Sequence, residues 1–127
     1  MARVLLMLTL LGAACAHGGS ADAKARSALN TLAVVIDPAY ELAIDGCVAS
    51  EQAEVNAERA GTQAPAVTSQ HLGEIRARCD RVRAVFERMR TLHAEAAAAV
   101  EAGAIEHAEA KLFEVRGLWQ ALGKDAR

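Results

Sequence analysis

The residues of this chain whose types and spacing could do chemistry are two internal cysteines, a row of arginines and a few histidines. Cys47 lies 16 positions before Gln63, and Cys79 lies 16 positions after it. Between them, Gly61-Thr62-Gln63-Ala64-Pro65 reads as a turn. Glycine stops a helix in left-handed geometry, proline ends the turn, and Thr68 or Ser69 is placed to cap the helix that follows. If two antiparallel helices meet at this turn, the two thiols lie level with each other. The chemistry expected is oxidation to a Cys47–Cys79 disulfide, which would stabilise a loop of this length by about 3–4 kcal/mol in the chain-entropy treatment. The alternative is a pair of buried free thiols.

Arginines crowd the segment after the turn. Arg76, Arg83 and Arg90 are spaced by seven and fall on one edge of a helix, and Arg81 and Arg88 fall on another. One reading is a candidate anion-binding edge made of Arg76, Arg83 and Arg90, suited to phosphate head groups or an acidic partner. The other is a solvated face paired with nearby acids such as Glu41, Asp45, Glu51, Glu87 and Glu114. Acids are plentiful enough to neutralise the row, so the paired face is the expectation.

His93 falls on an apolar stripe. His71, His93 and His107 have no partner four residues away, and no Cys-x-x-Cys-His occurs, so neither a metal nor a haem is expected. A core histidine bonded to a carbonyl or a carboxylate is the simpler expectation, with Asp37 a candidate partner. For catalysis the sequence offers no Gly-rich phosphate loop, no nucleophile elbow and no acid–base pair in a loop. No enzyme and no cofactor is expected.

The first residues form a targeting segment. Arg3 is followed by the apolar run from Val4 to Leu11 and then by Gly12-Ala13-Ala14-Cys15. The apolar stretch from Val4 to Ala16 has 13 residues, short of the roughly 17–25 that span a bilayer. In Gly12, Ala13, Ala14 and Cys15 the leader resembles a bacterial lipoprotein signal peptide, although Gly12 stands where that box usually carries leucine. The resemblance implies cleavage before Cys15 and lipidation of its thiol. Ala16 after the cysteine, by analogy with the enterobacterial sorting pattern, implies the outer membrane. Ala14-Cys15-Ala16 also satisfies an A-x-A rule, so cleavage after Ala16 and a soluble secreted or periplasmic product is the alternative. In either case the protein leaves the reducing interior. Cys47 and Cys79 then remain as an even pair in an oxidising compartment.

The elements that must position these residues are helical. Of the 127 residues, 53% are hydrophobic but only 3% aromatic, and only two are proline, a helix-rich composition with aliphatic packing. Leu29, Leu32, Ala33, Ile36, Tyr40, Ala43, Ile44 and Cys47 recur at three- and four-residue steps. Asp37-Pro38 interrupts them, which predicts a kink or a break. After the turn, Leu72, Ile75, Cys79, Val82, Phe86, Met89, His93, Ala96 and Val100 form the most regular seam in the chain. Gly103 ends that helix, and Ile105, Ala108, Leu112, Val115, Trp119 and Leu122 mark a shorter third. Level pairing about the turn puts Tyr40, Phe86 and Trp119 into one aromatic core cluster.

The predicted fold is therefore all-α: an antiparallel helical hairpin with a shorter third helix, a three-helix bundle stapled by one disulfide. The predicted organisation is a signal peptide at residues 1–14, a lipid anchor and flexible tether at 15–22, and a bundle domain at 23–123. The region around Gln63 is expected to protrude as a two-helix finger. Without residues 1–14 the chain loses Arg3 and no acid, leaving 13 basic against 16 acidic residues and a formal charge of −3. No basic excess points to nucleic acid. The functional expectation is a non-catalytic envelope lipoprotein in the periplasm, held to the membrane by lipid and contacting an envelope protein or the cell wall. Its alternatives are a bundle binding a small ligand or metal near His93, and a phage-borne envelope or lysis accessory.

Overall fold

The computed structural model describes residues 20–125, so Cys15 and the signal segment lie outside the described residues. Among the described residues there are three helices and no strand. Helix α1 spans Ala21–Arg59, α2 spans Pro65–Glu101 and α3 spans Ile105–Asp125. No helix among them is long and apolar enough to cross a membrane. Ser20 is the N-cap of α1: its hydroxyl accepts from the Ala23 amide at 3.2 Å, and its carbonyl from the Lys24 amide at 3.0 Å. The expected tether over 15–22 therefore stops short, since Ala21 and Asp22 are already helical.

Proline does not break α1. The helix runs through Pro38 without interruption, so of the expected kink or break the break does not occur. Pro38 leaves only the Val34 carbonyl without its usual donor. Pro38 and Val34 both lie on the exposed side of the helix, where water can serve that carbonyl.

Both helix ends at glycine follow one pattern. Gly61 and Gly103 have φ of 73° and 75°. The Gly61 amide donates to Glu58 O at 2.9 Å and the Thr62 amide to Ala57 O at 3.0 Å. The Gly103 amide donates to Val100 O at 3.0 Å and the Ala104 amide to Ala99 O at 2.8 Å. These are Schellman closures, which satisfy carbonyls that a helix end leaves open. Helix α2 begins earlier than the sequence predicts. Ala64 occupies the N-cap position and Pro65 the first turn, where proline's missing donor costs nothing. Thr68 lies inside the helix and is 3% exposed, so neither it nor Ser69 is a cap.

The chain divides into two compact units. Unit one comprises residues 20–39 and 85–125 and contains parts of all three helices. Its core joins Ala25 and Leu29 to Ala96, Ala99, Val100 and Ala108, with Ile105 and Leu112 packed against them. Alanine at these positions lets backbones approach closely. Larger side chains lie further along: Met89 and Leu92 are fully buried, and Val115 nearly so. Ala33, counted onto the apolar stripe, is exposed, and Val35 is buried instead. The buried face of α1 is thus centred on Ala25, Leu29, Leu32 and Ile36 with Val35 beside them, and Ala33 falls off its edge.

Phe86 and Trp119 meet edge to face in this unit, with centroids 6.4 Å apart and planes at 75°. Tyr40, the third residue of the predicted cluster, belongs to unit two and is half-buried. Unit two comprises residues 40–84: the second part of α1, the turn and the first part of α2. It is a two-helix hairpin, and its buried hydrophobic side chains are only Ile75 and Cys79.

Candidate functional site

Two helices cannot bury much between them, and unit two is held by other means. The first is the disulfide. Cys47 and Cys79 are bonded, with Cα atoms 6.2 Å apart and a separation of 32 in sequence. This separation lies within the ordinary range for a disulfide, and the pairing is the one expected from equal distance to Gln63.

The second is a polar latch at the turn. Gln63 donates from Nε2 to Glu54 Oε2 at 2.5 Å and to Thr68 Oγ1 at 3.0 Å. Thr68 in turn donates to the Ala64 carbonyl at 3.4 Å. His71 Nδ1 lies 2.9 Å from the same Glu54 oxygen. The hydrogen bond from Gln63, and then that with His71, hold the Glu54 carboxyl below its ordinary value. One acceptor thus ties α1 to the turn and to α2. The latch was not foreseen in the sequence, but the signal was present: Glu54 lies nine positions before Gln63 and His71 eight after it. The level-pairing rule that joins the cysteines also joins these two.

Beside the latch, a cleft of about 380 Å³ is lined by Ser50, Ala53, Glu54, His71, Glu74 and Arg78, with Ile75 at its floor. Its residue types are those of acid–base chemistry, but their hydrogen bonds are structural. Ser50 Oγ donates to Gly46 O at 2.8 Å, back along its own helix. Glu74 accepts from Gln70 at 3.0 Å, also within one helix. A nucleophile needs a base on its hydroxyl, and Ser50 has spent that proton on a carbonyl. Among the described residues no group of three or more His, Cys, Asp or Glu is arranged to hold a metal ion.

Four arginines of the stretch after the turn are engaged, Arg76, Arg83, Arg88 and Arg90. In unit two, Arg76 contacts Glu51 at 3.4 Å and Arg83 contacts Asp80 at 2.8 Å. In unit one, Arg90 holds Asp37 through Nε at 3.0 Å and Nη2 at 2.8 Å, and Arg88 holds Glu114 at 2.8 Å. Two of the acids named from sequence, Glu51 and Glu114, are partners; Asp80 and Asp37 supply the others. Arg76, Arg83, Arg88 and Arg90 thus each face a carboxylate, the arrangement the paired-face reading expects.

His93 is half-buried in unit one and bonded to a carbonyl, one of the two partners expected for it. Its Nε2 donates to the Leu29 carbonyl at 3.0 Å. Asp37, the candidate partner, is taken by Arg90 instead. A carbonyl only accepts, so this bond fixes the proton on Nε2. Elsewhere in unit one, Lys111 Nζ lies 2.8 Å from Glu95 Oε2, an oxygen shut off from solvent. That lysine is the main cause holding the Glu95 carboxyl below its ordinary value.

Comparison with protein-family models, with curated proteins and with solved structures returned no match for this chain.

Proposed function

We propose that the protein is a non-catalytic lipoprotein of the bacterial cell envelope. Lipid on Cys15 would hold it to the outer membrane facing the periplasm, and its helical domain would serve a structural or protein-interaction role there. The observation that carries this reading is the Cys47–Cys79 disulfide at bonding distance in a unit with almost no other core. A fold that relies on a disulfide suits an oxidising compartment, and the leader ending in Gly12-Ala13-Ala14-Cys15 supplies the route. Lipid anchoring would be firm, since each buried methylene contributes about 0.8 kcal/mol.

Intact mass of the protein from the membrane fraction, read with and without reductant and a thiol label, tests both halves at once. The expected result is an acylated chain beginning at Cys15 that takes up two labels only after reduction. An unacylated chain beginning at His17 in the soluble fraction would overturn the anchor. Labelling of Cys47 and Cys79 without reductant would overturn the compartment. For the interaction role, crosslinking in intact envelopes is expected to give a partner band that substitutions near Gln63 or along the helices remove.

A further inference from the structure

Unit one carries a second, different concavity. A groove of about 230 Å³ runs between α1 and α3, floored by the buried side chains of Ala25, Leu32, Val115 and Trp119. Its walls include Leu112 and Phe113. Phe113 is 77% exposed, while the other phenylalanine and the tryptophan are only 3% and 4% exposed. At the lip of the groove the exposed Phe113 ring adjoins the apolar floor, so the two together offer one continuous apolar surface. The groove is also smaller than the roughly 300–1,000 Å³ of sites for drug-sized molecules. It is shaped for one slender chain.

Its charges are distinctive as well. Along unit one, Arg26, Arg88, Arg90 and Lys111 each hold a carboxylate. Lys24 and Arg116 border the groove and, like Lys124 at the helix end, make no ion pair among the described residues. Glu109 also borders it, so the rim carries two cations and one anion. An uncompensated cation at the edge of an apolar surface favours a ligand that is apolar along its length and anionic at its head.

We propose that this groove binds the alkyl chain of a single-chain anionic amphiphile, with Phe113 packing over the chain and Lys24 or Arg116 meeting the carboxylate or phosphate head. The site is separate from His93 and from the arginine row, and it does not depend on lipidation of Cys15.

Trp119 is the single tryptophan of the chain and lies in the groove floor, so its fluorescence reports occupancy directly. The test uses the exported chain carrying Cys15→Ser, which keeps attached lipid out of the experiment. It is titrated with a bromine-labelled dodecanoate and with dodecyl phosphate, both below their micellar concentrations, and with dodecyltrimethylammonium. Saturable quenching by the brominated carboxylate, displaced by the phosphate but not by the cation, is expected. Lys24→Glu with Arg116→Glu should weaken it by about tenfold or more, the size of losing a charged hydrogen bond. Phe113→Ala should weaken it while leaving the melting curve in place, because that side chain is exposed. Absence of saturable quenching would overturn the proposal. So would equal binding of the cationic probe, insensitivity to the charge reversals, or sedimentation showing the groove closed by a second copy.

Discussion

Glu54 is the residue on which unit two converges at its turn, and its titration should be visible in the stability of the protein. Its folded value lies below the ordinary 4.5, chiefly because Gln63 donates to it and then because of His71. A carboxyl with a depressed folded value contributes stability that is complete above its unfolded value and is lost as the pH falls through the folded one. Glu95, held down first by Lys111, acts in the same sense. Urea midpoints are therefore expected to be level near neutrality and to decline below about pH 4.5. Glu54→Gln should lower the neutral plateau and flatten part of that acid decline, and an unchanged decline would contradict the assignment. At this scale the sequence was only partly legible. A carbonyl-bonded, half-buried His93 was among the expectations from its place on the stripe, but the choice of carbonyl over Asp37 was not readable. Asp37 lay within reach of both His93 and Arg90, and the two-pronged guanidinium took it. Thr68 looked like a cap because hydroxyls favour that position, yet Pro65 fits the first turn of a helix equally well and moved the cap four residues back, to Ala64.

At the scale of elements, two features set the stability of the long helices. Pro38 sits in the interior of α1 with its neighbours on the solvent side. Pro38→Ala restores a backbone donor and removes a ring that crowds the preceding turn, so it should raise stability by up to about 3 kcal/mol in thermal or urea melts. A loss would mean that the proline geometry itself is needed. The disulfide acts in the opposite way. Cys47→Ser should remove about 3–4 kcal/mol, the loop-closure effect on the unfolded chain. Hydrogen exchange should show that loss first in the amides of residues 40–84, where little else is buried. The three helices, their order and the staple were all readable from three-four periodicity and from the symmetric placement of two thiols. The continuity of α1 was not readable. A proline signals a lost hydrogen bond, but whether the helix survives depends on which side of it faces water, and that is decided by the packing of the other two helices.

At the scale of the whole molecule, buried side chains are distributed unevenly. Of the buried hydrophobic residues among those described, all but Ile75 and Cys79 belong to unit one. The alanine-rich seam there and the Phe86–Trp119 contact were foreshadowed by composition and periodicity. The groove beside Phe113 was not, because a lone aromatic on a polar helix face looks the same in sequence whether it borders a furrow or stands in solvent. The sparse interior of unit two has a consequence for how the gene can vary. A region held by one covalent bond and a few side-chain contacts at a turn places little demand on the remaining letters. In a saturation library selected for export and protease resistance, positions 40–84 should accept most replacements, with sharp intolerance at Cys47, Cys79 and Gly61. Positions on the inner faces of unit one should instead accept only substitutes of similar volume. Such a pattern would leave this stretch free to diverge quickly among related chains while its two sulfur atoms stay fixed.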